Sequence, residues 1–467
     1  MPEALEEKNI LYFMTIPIPV HIKNLIASGD FEKASKEIDS LLSKASKPER
    51  IRFLFEKDRI MRFEREFPLS PEESFTLASQ EIESLSQSEF QRLIERGCVD
   101  HITHKNGIRV FRRFIPNMFW LCPELKTRKI RGESELGAIE KEALYWRASR
   151  IQEASRDSTS PYLLPLKYTI RFTLRILERE KYPGKLRVWI PIPREDGINR
   201  AFKVLESKPP FKHIAPPEHP QRTIYFELTE EDAISLLYEF VSYGYHAKVD
   251  PDSARVTEES EILEEYTAEK PPHIVFSDYL VGLTRKIVGE EKNPLKIAQR
   301  IWLWVTSNVR YTYAMDYALY DNISEYVAKN LRGDCGMQAI LFITMARIAG
   351  IPARWQSGWY LNPVRPGMHD WAQIHVEPYG WLYVDPSFGN KAKGDDWRNT
   401  FYFGSIEGYR LAANIDISRQ FDPPKVFFRS DPVDNQQGEV ESDEGNLYYG
   451  NWESKLEVIE VEKLKKN

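Results

Sequence analysis

Residues 331–389 read LRGDCGMQAILFITMARIAGIPARWQSGWYLNPVRPGMHDWAQIHVEPYGWLYVDPSFG, and the reading of this stretch decides the fold. Cys335 follows Gly333-Asp334 and opens a Pro-free apolar run to Ala349, in which Ile340, Leu341, Ile343, Thr344 and Ile348 have the spacing of a buried helix. Asp334 is placed as its N-cap and Gly350-Ile351-Pro352 as its stop. A cysteine in a first helical turn sits among unpaired N–H groups at the positive end of the helix dipole, which lowers thiol pKa below about 8.5. Cys335 is therefore expected to be a reactive thiolate.

After the stop come ARWQSGWYL, WAQIHVE and WLYVD, three short runs rich in β-branched and aromatic residues that read as strands, the last two joined by a turn at Glu377-Pro378-Tyr379-Gly380. His369 stands at the start of one strand and Asp385 at the end of its neighbour, toward the same end of a hairpin. A base and the carboxylate that orients it need that placement. If Glu377 faces Trp381, Asp385 lies opposite residue 373 rather than 369, so twist, a bulge or a longer turn must bring the imidazole back. Asp370 should point to the face opposite His369 and ranks well below Asp385 as orienting acid. His375 lies on the same face as His369 but roughly 20 Å along the strand, too far to serve as an alternative base.

The stretch resembles the transglutaminase-like superfamily of papain-fold cysteine enzymes, through Gly333-Asp334-Cys335, Gly350-Ile351-Pro352-Ala353-Arg354, His369-Asp370-Trp371-Ala372 and Val384-Asp385-Pro386-Ser387. The resemblance implies Cys335 as nucleophile, His369 as general base and acid, and Asp385 as the group orienting His369. It also implies a side-chain oxyanion donor upstream, for which Tyr311, Tyr313 and Tyr317 lie in the right segment. The backbone N–H of Cys335 is a further donor candidate. Trp355, Trp359, Tyr360 and Trp371, with Arg365 and Met368, are candidates to line a substrate cleft, and the aromatic ones serve equally well as core.

The remainder of the 467 residues is long enough for two or three domains. With 64 basic and 70 acidic residues, net charge −6, the chain has no general attraction for nucleic acid or acidic membranes. The basic run ERGCVDHITHKNGIRVFRRF is flanked by acidic helices and lacks interleaved stacking aromatics, so it reads as a solvated face. Cys98, Cys122 and Cys335 are too few and scattered for a disulfide framework, and none has a metal-ligand spacing, so Cys98 and Cys122 are expected as buried apolar side chains. His101 and His104 are expected as surface or packing residues rather than ligands. No cofactor or metal is expected. The first residues lack a basic n-region, and Pro17 and Pro19 interrupt their apolar stretch, so the expected location is cytoplasmic, or exported if a signal peptide has been removed.

Three regions follow: 1–155, mostly helical; 156–255, an antiparallel β-domain with alternating KYTIRFTLRILE, GKLRVWIPIP and RTIYFELT; and 256–467, the core with C-terminal strands that complete its sheet. Within the first, Asn106-Gly107 marks a hairpin with a type I′ turn. The fold class is α+β, with a papain-like transglutaminase core. The expected activity is cysteine-dependent acyl transfer: a peptide or amide carbonyl is attacked, a thioester forms, and water hydrolyses it. Two alternatives stay open, transfer to an amine with protein crosslinking, and a non-catalytic binding or scaffold protein with a relic core. The expected partner is a peptide, protein or amide-containing substrate, with no nucleic acid and no membrane.

Overall fold

A computed structural model describes residues 8–130, 135–195, 197–389 and 397–465. The N-terminal region is helical over Val20–Ala27, Phe31–Leu42, Lys47–Glu66, Pro71–Ser79, Gln87–Glu95, Phe114–Leu121 and Glu135–Ser155. Ser46 with Glu49 and Ser70 with Glu73 form capping boxes, which satisfy backbone N–H groups at two of these helix starts. The helix Lys47–Glu66 buries charge as well as the apolar Phe53, Phe55 and Ile60. Its Arg59 reaches Asp321 at 2.8 Å, and its Arg62 reaches Asp316 at 2.8 Å and the carbonyls of Arg429 and Ser430 at 2.6 and 2.8 Å. These bonds clamp the N-terminal region onto loops of the core.

Strands β1 (His101–His104) and β2 (Gly107–Val110) form the expected hairpin, paired from His101↔Val110 to His104↔Gly107. Its turn is not type I′: Gly107 takes φ 117°, whereas Asn106 is not among the residues with positive φ. Cys98 and Cys122 form a disulfide with Cα atoms 5.9 Å apart, which corrects the expectation of two unpaired core thiols. Twenty-four residues separate them in sequence, and only the packing of the helix Phe114–Leu121 against the hairpin region brings them together.

The β-domain uses β3 (Tyr162–Ile176), β4 (Leu186–Pro191), β5 (Asn199–Lys208), β6 (His213–Ile214), β7 (Thr223–Leu228) and β8 (Ala233–His246). Burial alternates along β3 and β8 as a half-buried antiparallel sheet requires. In the core, β9 (Arg310–Tyr311) and β10 (Arg332–Gly333) pair briefly in parallel and hold Tyr311 beside the start of the cysteine helix, Cys335–Ile348. That helix packs on an antiparallel sheet of β11 (Ala353–Tyr360), β12 (Gly367–Val376), β13 (Gly380–Val384) and β15 (Arg410–Asn414), in the order β13-β12-β11-β15.

The last strands depart from expectation. Of β14 (Ser405–Ile406), β15, β16 (Glu439–Glu441), β17 (Asn446–Leu447) and β18 (Trp452–Lys463), only β15 joins the core sheet. β14 pairs with β8, β16 with β4, and β18 runs the length of β3 from Trp452↔Ile176 to Lys463↔Leu166. The alternation in 452–463 identifies a strand, but partner choice depends on which long edge is free. The unpaired edge of β3 is the longer one.

A candidate active site at the start of the cysteine helix

Asp334 caps the cysteine helix, its Oδ1 accepting the Met337 N–H at 3.0 Å and the Tyr317 hydroxyl at 2.6 Å. Gly336 lets the surroundings close in. A Cβ there would collide with the Tyr317 hydroxyl and lie 2.9 Å from the Trp355 ring and 3.0 Å from the Asp370 carboxylate. Cys335 is 8% exposed and opens on a cleft of about 910 Å³. Two of the three regions line this cleft: Arg65 and Arg113 from the helical region, and Tyr311, Tyr313, Asp370 and Asp434 from the core.

The register of the sheet decides which groups meet the thiol. β11 and β12 pair as Trp355↔Ala372, Gln356↔Trp371, Ser357↔Asp370 and Gly358↔His369. Paired residues share a face and successive residues alternate. Trp355 and Asp370 approach Gly336 and therefore occupy the face under the cysteine helix, so His369 and Trp371 occupy the other. Cys335 Sγ donates to Asp370 Oδ2 at 3.1 Å, and no hydrogen bond joins Cys335 to His369 among the described residues. Asp370 Oδ1 accepts from Gln436 Nε2 at 2.6 Å, and the Asp434 carboxyl packs close enough to Asp370 to share a proton.

The electrostatics of this face run against the expected thiolate. Burial pushes the Cys335 thiol well above its ordinary range, and the neighbouring Asp370 and Asp334 push it further. Burial, with Asp434 and Asp334 nearby, also raises Asp370 well above the carboxylate range, and burial pushes Asp434 up to about 6.

On the opposite face His369 Nε2 lies 2.7 Å from Asp385 Oδ2, so the pairing of these two side chains is made. The hairpin register runs His375↔Trp381 and Val376↔Gly380, which carries Asp385 opposite Trp371 instead of residue 373. The turn has the length the sequence reading assumed but starts one residue earlier, which moves the position opposite Asp385 by two residues and brings the carboxylate within reach of the imidazole. Arg410 Nη1 donates to the same Asp385 oxygen at 3.0 Å and pairs with Glu407 at 2.8 and 3.0 Å. Burial raises the Asp385 pKa, but His369 and Arg410 outweigh it and hold the carboxyl below its usual value. The imidazole lies 5.0 Å from the Phe388 ring and 6.0 Å from that of Trp371.

Among the other expected residues, Tyr311, Tyr313 and Tyr317 line the cleft, as do Tyr360, Arg365 and Met368. Tyr317 already donates to Asp334, while Tyr311 is close enough to Cys335 for their charges to interact. Trp355 and Trp371 are buried, Trp371 donating to Gln356 Oε1 at 2.6 Å, and Trp359 donates to the Gln436 carbonyl at 2.8 Å. These three are packing residues. His375 is held by Thr257 at 2.9 Å, and His101 by the Val99 carbonyl at 2.9 Å. The ranking of Asp385 above Asp370 as the partner of His369 agrees with the 2.7 Å contact, but sequence reasoning did not place Asp370 beside the thiol and missed Asp434 and Gln436. The alternation of β12 separated residues 369 and 370 correctly, but nothing in it says which face the helix covers.

Residues 281–386 match the family model described as the transglutaminase-like superfamily. An uncharacterized protein of Haemophilus influenzae is 27% identical over 137 residues, covering 24% of this chain, and the chain spans 37% of the length of that relative. A structure from Cytophaga hutchinsonii, described as a candidate cysteine protease, is 15% identical, with a TM-score of 0.42 over 65% of this chain and 92% of that one. The periplasmic domain of TgpA from Pseudomonas aeruginosa, bound to ethylmercury, is 16% identical, with a TM-score of 0.26 over 51% of this chain and 94% of that one. Red sea bream transglutaminase is 13% identical, with a TM-score of 0.24 over 64% and 62%. The helices, the cysteine helix and the hairpin that carries His369 and Asp385 thus make residues 281–386 of this chain a transglutaminase-like core.

Proposed function

We propose that this chain is a cysteine-dependent acyl-transfer enzyme, in which Cys335 attacks a peptide or carboxamide carbonyl and water hydrolyses the resulting thioester. The observation that carries this reading is the position of Cys335 as the first residue of a helix at the wall of a large cleft. The Cys335 N–H at the helix start and the hydroxyl of Tyr311 are available donors for the developing oxyanion. The substrate is a peptide or protein segment, because the cleft is open and walled by both the helical region and the core. Its arginines and aromatic residues suit an extended polar chain better than a small apolar ligand.

A second reading, a non-catalytic binding protein with a relic core, is favoured by the raised thiol and by its separation from His369. The two readings part in one experiment. Intact protein is incubated with a mixture of glutaminyl peptides and peptide amides, with and without hydroxylamine, and ammonia and hydroxamate are measured. Release abolished by Cys335→Ala supports the enzyme. Equal background from both proteins sinks it. Added lysine methyl ester then separates hydrolysis from transfer to an amine.

The Cys98–Cys122 disulfide favours an oxidising compartment over a reducing cytoplasm. No helix among the described residues is long and apolar enough to cross a membrane.

A further inference from the structure

We infer that Arg113 is a specificity-determining residue, whose guanidinium binds a carboxylate of the substrate while the substrate's carbonyl meets Cys335. This rests on the acyl-transfer reading above and extends it to the class of substrate. Five arginines among the described residues line the cleft, and four of them are already engaged. Arg62 pairs with Asp316 at 2.8 Å, Arg112 with Glu66 at 2.8 Å and Arg365 with Glu140 at 2.9 Å, and Arg65 donates to the Tyr449 carbonyl. Arg113 has no hydrogen bond and no ion pair among the described residues. Its guanidinium carbon instead lies 3.3 Å from the centre of the Tyr313 ring, a cation–π contact that holds the planar group against the cleft wall and leaves its N–H edge free.

The wall that carries Arg113 is well fixed and runs to the nucleophile. Asn117 Oδ1 accepts the Tyr313 N–H at 2.7 Å, Asn117 Nδ2 donates to the Tyr313 carbonyl at 3.0 Å, and the Trp120 ring packs 5.2 Å from those of Tyr311 and Tyr313. Tyr311 pairs with Gly333, two residues before Cys335. Arg113 is close enough to Asp334 for their charges to attract, yet Asp334 is taken by the Met337 N–H and the Tyr317 hydroxyl. The other acids of the cleft do not neutralise Arg113. Glu66, Glu140 and Asp316 are engaged by the arginines named above, while burial holds Asp370 and Asp431 well above the carboxylate range and pushes Asp434 up to about 6. Arg113 is half-buried, so an anion beside it is screened less than in bulk water. A fixed fork of free N–H groups selects a planar anion that accepts two parallel bonds. On a peptide that anion is a carboxylate, from the chain's C-terminus or from a Glu or Asp side chain. Arg113 lies outside residues 281–386, so the helical region supplies this selection to the core.

The test uses the full chain and paired alkylating probes that differ only in charge. N-iodoacetyl-glycine and N-iodoacetyl-glycylglycine present a terminal carboxylate at two reaches, with their amides as neutral partners. N-iodoacetyl-glutamic acid α-amide, against N-iodoacetyl-glutamine α-amide, presents a side-chain carboxylate. Alkylation of Cys335 is followed by mass spectrometry, and the reading is the ratio of charged to neutral rates within each protein. For at least one pair the ratio should be about tenfold or more in the wild type, fall to about one in Arg113→Gln, and lie between in Arg113→Lys, which keeps the charge and loses the fork. The pair that shows it distinguishes the terminal carboxylate from the side chain. A wild-type ratio near one, a wild-type ratio kept in Arg113→Gln, or full restoration in Arg113→Lys overturns the inference. Phenylglyoxal, which modifies free arginines, reads the subsite without the thiol. Acetyl-glycyl-glutamate should slow modification of Arg113 and its diamide should not; equal modification with both overturns the inference as well. If the protection is seen while Cys335 is never alkylated and releases no ammonia from glutaminyl peptides, the acyl-transfer reading falls and the carboxylate subsite stands. Cys335-dependent ammonia release without protection of Arg113 sinks the subsite and leaves that reading intact.

Discussion

The two faces of β12 carry two buried polar assemblies of opposite character. On one, His369, Asp385, Arg410 and Glu407 form a closed set in which Arg410 lies 2.8 to 3.0 Å from Glu407 and Asp385, and His369 lies 2.7 Å from Asp385. On the other, Cys335, Asp370, Asp434 and Asp334 crowd like-charged or acidic groups at the wall of a cleft, and their acidities are driven upward. The first arrangement is what a chain does to bury charge safely. The second raises the free energy of the folded state unless a proton is kept within it, and groups held at perturbed acidity in a cleft are where proton-transfer chemistry is found. The contrast sets a charge-balanced face at His369 against a crowded acidic face at Cys335.

Substitutions on the two faces should separate accordingly. The largest effect belongs to Cys335→Ala, which should lower acyl transfer about 1,000-fold or more while leaving the unfolding midpoint in urea nearly unchanged. A comparable loss of stability would erase the distinction. Next is Arg410→Ala, which strands Asp385 and Glu407 without their cation and should cost about 3–5 kcal/mol in urea unfolding. A cost below 1 kcal/mol would mean that the closed set is not what holds this face. Trp371→Phe removes one buried hydrogen bond, to Gln356, and should cost about 1–3 kcal/mol by the same measurement, with Cys335 labelling unaltered.

The smallest effect is a dependence on pH. Asp434 is pushed up to about 6 in the folded chain from an ordinary value of 3.8. Between those values the folded state holds more protons than the unfolded state, so this group's contribution to stability falls as pH rises, by up to about 1.4 kcal/mol per unit. The stability of Asp434→Asn relative to wild type should therefore improve between pH 4 and pH 6. A flat difference, measured by urea unfolding at both pH values, would place Asp434 outside the proton-sharing cluster.

Local chemistry was legible in the sequence wherever the determinant lies within a few residues. Asp334 caps the helix that Cys335 opens, the apolar run to Ile348 is buried, and the three strands after Gly350 are strands. The pairing of His369 with Asp385 followed from their order on one hairpin, although the turn was placed one residue too late. The identity of the β-domain was visible in its period-two alternation.

What depends on distant parts of the chain was not legible. Cys98 and Cys122 meet because a helix folds back over a hairpin, and β18 chooses β3 because that edge is long and free. Gln436 and Asp434 reach Asp370 from a polar segment that has no periodic pattern of its own. Above all, alternation along β12 determines that residues 369 and 370 face opposite ways, and no local rule says which way the cysteine helix lies. The sequence by itself determined the elements and their capping, since these depend on backbone sterics and nearest-neighbour contacts. Only tertiary packing of the helix on one face of the sheet decided that the thiol of Cys335 meets Asp370 and not His369.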